Sequence, residues 1–286
     1  MQLQMCRTWW GAPTDLETLV TQTVAGGFDG IEMPIPKDAP TRKRLRELLS
    51  RNGLSMISEV TTGLSDKPTY DWWVPEPHFT VDDHLRDLQT AVNLASEVEP
   101  LFISTMCGYD AWSLQQNLDF FGRGVEMSER SGVTISFETH RCRSLFNPWI
   151  TRDVIAALPT MKLTCDFSHW CVVAERLIDT EMDIIRQCAA RAHHVHCRVG
   201  YAQHAQVPDP AAPEYQPALL AHERWWDEIW QSQRARGMPV VTMTSEFGPD
   251  GYMQQLPYTQ QPVANLWNVV CWQGQRQKQR FGRFKS

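Results

Sequence analysis

Four short segments in the second half of the chain carry side chains able to hold a cation and move a proton: Phe137-Glu138-Thr139-His140, Cys165-Asp166-Phe167-Ser168-His169, His194-Val195-His196-Cys197-Arg198 and Ser245-Glu246-Phe247-Gly248. Carboxylates and imidazoles together form a mixed oxygen and nitrogen donor set, which suits Mn²⁺, Mg²⁺, Co²⁺ or Zn²⁺. A carboxylate beside such an ion can abstract a proton from a carbon next to a carbonyl, because the ion stabilises the charge that develops. That chemistry requires the four segments to converge.

The elements that must position them follow a regular rhythm. Short β-rich runs at 3–7, 30–33, 54–59, 101–105, 133–138, 162–166, 193–197 and 240–246 alternate with helical patterns. The helical stretches are 15–25, 41–52, 81–98, 113–131, 152–158, 175–190, 218–236 and 261–279. Gly26-Gly27, Asn52-Gly53, Ser131-Gly132 and Gly237 mark stops before strands. Eight βα units in series predict an α/β fold, a single-domain (β/α)₈ TIM barrel over residues 1–286, with a basic tail from roughly residue 275 that is solvated or contacts another subunit. A doubly wound open sheet fits less well, because Cys6-Arg7-Thr8-Trp9-Trp10-Gly11 is a poor phosphate loop. The Pro-rich stretches 68–77 and 208–217 read as long loops over the barrel mouth.

Side chains alternate between the two faces of a strand. Val133, Ile135 and Phe137 oppose Thr134, Ser136 and Glu138; Leu163 and Cys165 oppose Lys162, Thr164 and Asp166. Val195 and Cys197 oppose His194 and His196; Val241 and Met243 oppose Thr242, Thr244 and Glu246. The apolar sets must meet the helices, so the polar sets point into the barrel. Glu138, Asp166, His196 and Glu246 then end four consecutive strands at the edge where this fold keeps its active sites. Three converging carboxylates repel one another unless a cation neutralises them, so one divalent ion is expected there. Any one such residue alone is more often a wetted strand end; four in succession are not.

These four motifs in order resemble the xylose isomerase-like TIM barrels, the superfamily of sugar phosphate isomerases and epimerases. The resemblance is clear from the fifth strand onward and rests on the βα rhythm before it. It implies that Glu138, Asp166, His196 and Glu246 bind one metal ion, manganese first among the candidates. It also implies that Glu138 and Glu246 form the acid/base pair on opposite faces of a sugar, and that His169 and Arg198 contact substrate. His140 is a third polar contact or supports the ligands from behind; Glu32 touches substrate or ends its strand in water. The three-zinc DNA-repair branch needs extra histidines on early strands, where this chain offers Glu32, Glu59 and Thr105-Met106.

The resulting expectation is a metal-dependent isomerase or epimerase of a sugar or small hydroxy-carbonyl compound. A lyase on the same scaffold, either a dehydratase or a keto-glycoside eliminating enzyme, is the alternative, and a non-catalytic sugar-binding barrel is a weaker one. Trp9, Trp10, Trp72, Trp73, Trp112 and Tyr109 fall in loops after the first, third and fourth strands, where aromatic faces suit a carbohydrate or pack against helices. Trp10 is the candidate substrate contact among them; Arg7, Arg141, Arg143 and Arg198 are candidate partners for an anionic group such as a carboxylate or phosphate, with Arg7 and Arg198 the best placed. A net charge of −6 argues against a general nucleic-acid binder. No apolar run is long enough for a membrane span. Scattered cysteines and an N-terminus unlike a signal peptide suggest a cytoplasmic protein, and a homo-oligomer is compatible with the aromatic loops.

Overall fold

A computed structural model describes residues 1–66, 73–249 and 251–285. The strands are β1 (Gln2–Thr8), β2 (Gly30–Met33), β3 (Ser55–Thr61), β4 (Ile103–Met106), β5 (Ile135–Glu138), β6 (Lys162–Cys165), β7 (Ala192–His196) and β8 (Val240–Ser245). Each pairs in parallel with the next, and β1 closes on β8 through six residue pairs running from Gln2↔Val240 to Arg7↔Ser245. The expected barrel is therefore closed, with helices between its strands.

The helices are α1 (Leu16–Ala25), α2 (Ala39–Asn52), α3 (Val81–Val98), α4 (Leu114–Ser131), α5 (Pro148–Ala157), α6 (Ser168–Val173), α7 (Met182–Ala189), α8 (Gln216–Ala235) and α9 (Leu266–Lys285). Local chemistry sets several of their ends. Asp15, Asp38 and Asn147 accept from the third backbone N–H beyond them, and Thr80 and Ser113 complete reciprocal capping boxes with Asp83 and Gln116. Gly132 ends α4 with φ of 71°, a left-handed conformation open to glycine.

Three expectations need correction. The stretch 175–190 is not one helix: α6 comes early, a 3₁₀ turn (Ile178–Glu181) follows, and α7 occupies only the end. Pro148 begins α5 four residues before the expected start, its ring being preset for the first helical turn. The basic tail is not a loose solvated segment, because α9 runs to Lys285 and docks. Arg276 and Arg280 pair with Glu223 on α8, Arg280 also reaches Asp227, and Lys278 pairs with Asp29.

The barrel interior is layered. Cys6, Ile57 and Phe102 form an apolar floor. Above it lies a hydroxyl and imidazole layer, with Ser104, Ser136 and Thr164 linked in one chain and His194 bonded to Thr242 and Thr244. A register shift between β6 and β7, where Leu163 meets Ala192 but Thr164 meets His194, leaves His193 as the extra residue and keeps His194 and His196 on the inner face. Outside, Phe137 packs on Phe120 and Phe121 of α4, and Phe167 and Trp170 pack beneath Trp225. Trp225, Trp226 and Trp230 are buried core residues of α8. None of the described helices is long and apolar enough to cross a membrane.

Candidate metal centre

Above the hydroxyl layer, the ends of four strands meet. Glu138, Asp166, His196 and Glu246 each offer one ligand atom, and the four atoms lie within 4.8 Å of one another. His196 is the hub: its Nδ1 is 2.8 Å from Glu246 Oε2, 3.2 Å from Glu138 Oε1 and 4.0 Å from Asp166 Oδ2. Two donors each about 2.1 Å from one ion and at right angles would be about 3 Å apart. All four residues are buried, Asp166 completely.

Neighbouring strands hold these four side chains in place. Thr139 Oγ1 accepts from the Asp166 N–H and donates to its carbonyl oxygen, tying the ends of β5 and β6 together. Asp166 Oδ1 accepts from the Ser168 N–H at 3.0 Å and from its hydroxyl at 2.5 Å, which leaves Oδ2 turned toward the cluster. Glu32, at the end of β2, sits behind His196 with Oε1 3.0 Å from Nε2. Its other oxygen is 3.2 Å from Nε2 of His194. Glu32 therefore fixes a proton on His196 Nε2 and turns Nδ1 to the carboxylates.

The electrostatics fit a cation. Burial pushes the Glu138 carboxyl up to about 7, against the pull of His196, and raises Asp166 despite Arg198. Burial works the same way on Glu246, but Arg198 and His196 overcome it and hold that carboxyl near about 2. His196 is held well above its ordinary value because Glu246, Glu32 and Glu138 outweigh its desolvation. The group thus retains protons that a divalent ion would replace. Glu246 Oε2 is buried and makes no hydrogen bond of sound geometry despite the close imidazole. The donor set and this orphaned oxygen both suit a divalent metal.

The remaining expected site residues separate into two groups. His140, Arg198 and Trp10 line a narrow cavity over the cluster, together with Glu59, Trp73, Met106, Glu246 and Tyr252. His169 lies directly beneath His140, with ring centroids 3.8 Å apart. Its Nε2 accepts from Arg198 at 2.7 Å, and its Nδ1 is buried without a partner. Arg198 is fully buried and bound to Asp166, Ser168 and His169. Glu32 is 2 % exposed, so it does not end its strand in water. Arg7 is the correction: it shares the outer face of β1 with Met5, and its guanidinium stacks on Trp267 of α9 at 4.6 Å.

Three cavity residues, Tyr252, Glu59 and Met106, were given no site role by sequence. Tyr252, in the loop after β8, is buried between the guanidinium groups of Arg198 and Arg141 and meets the edge of Trp10. Trp9 donates from Nε1 to Glu59 at 3.0 Å and so orients that carboxyl. Glu59 was legible as a strand end but not as a wall of the cavity. Of the loop aromatics, Trp73 joins the cavity, Trp112 packs on His84 and Phe120 instead, and Trp72 lies outside the described residues.

Comparison with known proteins agrees with this architecture. Residues 20–208 match a family model described as xylose isomerase-like TIM barrel. No curated protein matches the chain in sequence. Among solved structures, a probable 3-DHS dehydratase from Bacillus anthracis superposes with a TM-score of 0.61 at 16% identity, covering 97% of this chain and 99% of that one. The 3-keto-D-glucoside 4-epimerase of E. coli gives 0.61 at 11% identity, covering 95% and 99%. A xylose isomerase-like TIM barrel protein from Mycobacterium smegmatis, in complex with magnesium, gives 0.61 at 12%, covering 92% and 88%.

Proposed function

The chain belongs to the xylose isomerase-like TIM barrel family, and on that premise we propose that it is a divalent-metal-dependent isomerase or epimerase of a sugar or small hydroxy-carbonyl compound. Glu138, Asp166, His196 and Glu246 would hold the ion, with Mn²⁺ or Mg²⁺ matching the carboxylate-rich donor set. When bound, the metal would supply Lewis-acid polarisation of the substrate carbonyl and stabilise negative charge beside it. The observation that carries the reading is the convergence of Glu138, Asp166, His196 and Glu246, whose ligand atoms lie within 4.8 Å of one another at the strand ends.

The ionised Glu246 takes the proton from the carbon next to the carbonyl. Glu138, the second glutamate of the cluster, returns one from its own side. Return to the same carbon inverts it; return to the neighbouring carbon moves the carbonyl. His169 offers its unpartnered Nδ1 to a substrate hydroxyl, and the tilted ring of His140 packs against it. Trp10, Trp73 and Tyr252 line the cavity and would shield it from water.

The test is solvent exchange. Metal-loaded protein in D₂O is incubated with a panel of ketoses and aldoses, and the products are read by NMR. Deuterium should enter the carbon next to the carbonyl, and chelator should stop it. Loss of a hydroxyl or glycosyl group would move the assignment to a lyase. A sugar that binds without exchanging would end the proton-abstraction reading.

A further inference from the structure

Glu59 has no role in holding the metal or in the proton transfers above, yet it occupies the cavity wall. We propose that Glu59 is the specificity-determining residue of the site: its carboxyl holds a hydroxyl of an uncharged polyhydroxy-carbonyl substrate and rejects a carboxylate or phosphate at that end. The inference rests on the proposed function and extends it to a substrate class.

Strand parity turns Glu59 inward. It follows Ile57 of the barrel floor on β3, and it pairs with Ser104, whose hydroxyl joins the interior chain with Thr164. The indole N–H of Trp9 engages Oε2. Among the described residues, no Lys, Arg or His forms an ion pair with Glu59, and Oε1 makes no hydrogen bond. Glu246, Glu32 and Glu138 are near enough to add like-charge repulsion to its desolvation, and together these raise its proton affinity strongly. Glu59 is half-buried, with its carboxyl at the cavity wall. A substrate hydroxyl would supply the missing partner, whether the carboxyl accepts as an anion or donates as an acid.

The surrounding charges oppose an anion. Arg198 is committed to Asp166, Ser168 and His169; Arg143 donates to the backbone carbonyls of Thr62 and Trp73. Arg7 lies outside the barrel on Trp267, and Arg141 stacks on Tyr252 without lining the cavity. Glu32, Glu59, Glu138, Asp166 and Glu246 gather at this end of the barrel, where Arg198 is paired with Asp166. A divalent ion would offset part of that carboxylate excess. Beside Glu59, the cavity is lined by the rings of Trp10, Trp73 and Tyr252, by the Met106 side chain, and by the polar groups of His140, Arg198 and Glu246.

The experiment compares matched probes on metal-loaded protein: D-fructose against D-fructose 6-phosphate, and D-glucose against D-gluconate, by calorimetric binding and by turnover. The neutral member of each pair should bind at least tenfold more tightly. Glu59→Gln should raise KM for the preferred neutral sugar about 10-fold or more while kcat changes less than threefold. Glu59→Lys should narrow or invert the neutral-over-anionic preference. Melting temperature and Mn²⁺ affinity of the Gln variant, each matching wild type, show that the fold and metal centre are intact. A KM within twofold of wild type in that variant, or tighter binding of the anionic probes by wild type, overturns the proposal. Glu59-dependent sugar binding without any deuterium exchange would support the binding role while overturning the isomerase reading, so the two fail separately.

Discussion

Glu32 decides which nitrogen of His196 faces the carboxylates. Its Oε1 sits 3.0 Å from Nε2, and burial, which would raise its own proton affinity, is outweighed by His196 and His194, so it stays ionised. A carboxylate behind a ligating histidine orients the ring and raises its basicity, and its loss typically weakens metal binding 10- to 100-fold. Glu32→Gln is therefore expected to weaken Mn²⁺ binding by about that factor in a calorimetric titration, with the metal-free fold retained by circular dichroism. An unchanged dissociation constant would show that His196 needs no such support. Sequence placed Glu32 between a substrate contact and a solvent-facing strand end because its partners come from β7, far along the chain. Arg7 is the opposite case. Met5 and Arg7 share a face of β1, so the parity argument that located Glu138 and Asp166 already sends Arg7 toward the helices; seeking an anion-binding arginine obscured it. Tyr252 carried no periodic signal at all, since it lies in a loop whose path is set by contacts rather than by a repeat.

At the scale of elements, the inner wall of the barrel is fixed by strands but its cover is fixed by loops. The loop after β8 is clamped where Gln206 donates to the Gly248 carbonyl at 3.1 Å and accepts from the Gly248 N–H at 2.9 Å. This brings the glycine against Trp10: a Cβ there would lie 2.0 Å from the indole ring. Gly248→Ala must push Trp10 from its edge contact with Tyr252, and overpacking of this kind costs about 1–3 kcal/mol. The expected result is a lowered melting temperature, a changed tryptophan emission and an impaired KM. Gly282→Ala in α9, with nothing within 4 Å of the added carbon, should instead match or stabilise the wild type. Equal melting temperatures for wild type and Gly248→Ala would mean that Trp10 is not held there. The strands were legible because alternation in β5 to β8 is strict and apolar on one side. Helix ends were less so: α6 has only six residues and no side-chain cap, and Phe167 to Val173 reads as a run without helical period. The tail read as a charge run because its partners, Glu223 and Asp227, are on another helix.

The whole molecule carries buried imidazoles that link its stability to pH away from the carboxylate cluster. His222 is fully buried on α8; its Nδ1 donates to the Ala218 carbonyl at 2.9 Å, and its Nε2 accepts from the Gly200 N–H at 3.3 Å. The bond from Gly200 requires the neutral ring, and burial lowers its proton affinity from an ordinary 6.5 to about 4. His84, inside α3 beneath Trp112, is lowered to about 3 by burial and by Arg143. A group whose folded value is depressed contributes stability that is complete above its unfolded value and is lost as pH falls toward the folded one. For His222 the loss begins below about pH 6.5 and amounts to on the order of 2 kcal/mol by pH 5. Gln at this position can make the same two bonds without a proton to gain, so His222→Gln isolates the effect. Melting temperatures of wild type and variant are compared from pH 7.5 to 5 with chelator present, so that proton uptake by the carboxylate cluster is common to both. Wild type should lose ground to the variant across this range, by about 4–8 °C for a chain of this size. Parallel curves would mean that His222 takes its proton as readily in the folded barrel as in the unfolded chain, and that the Gly200 contact does not hold its ring neutral.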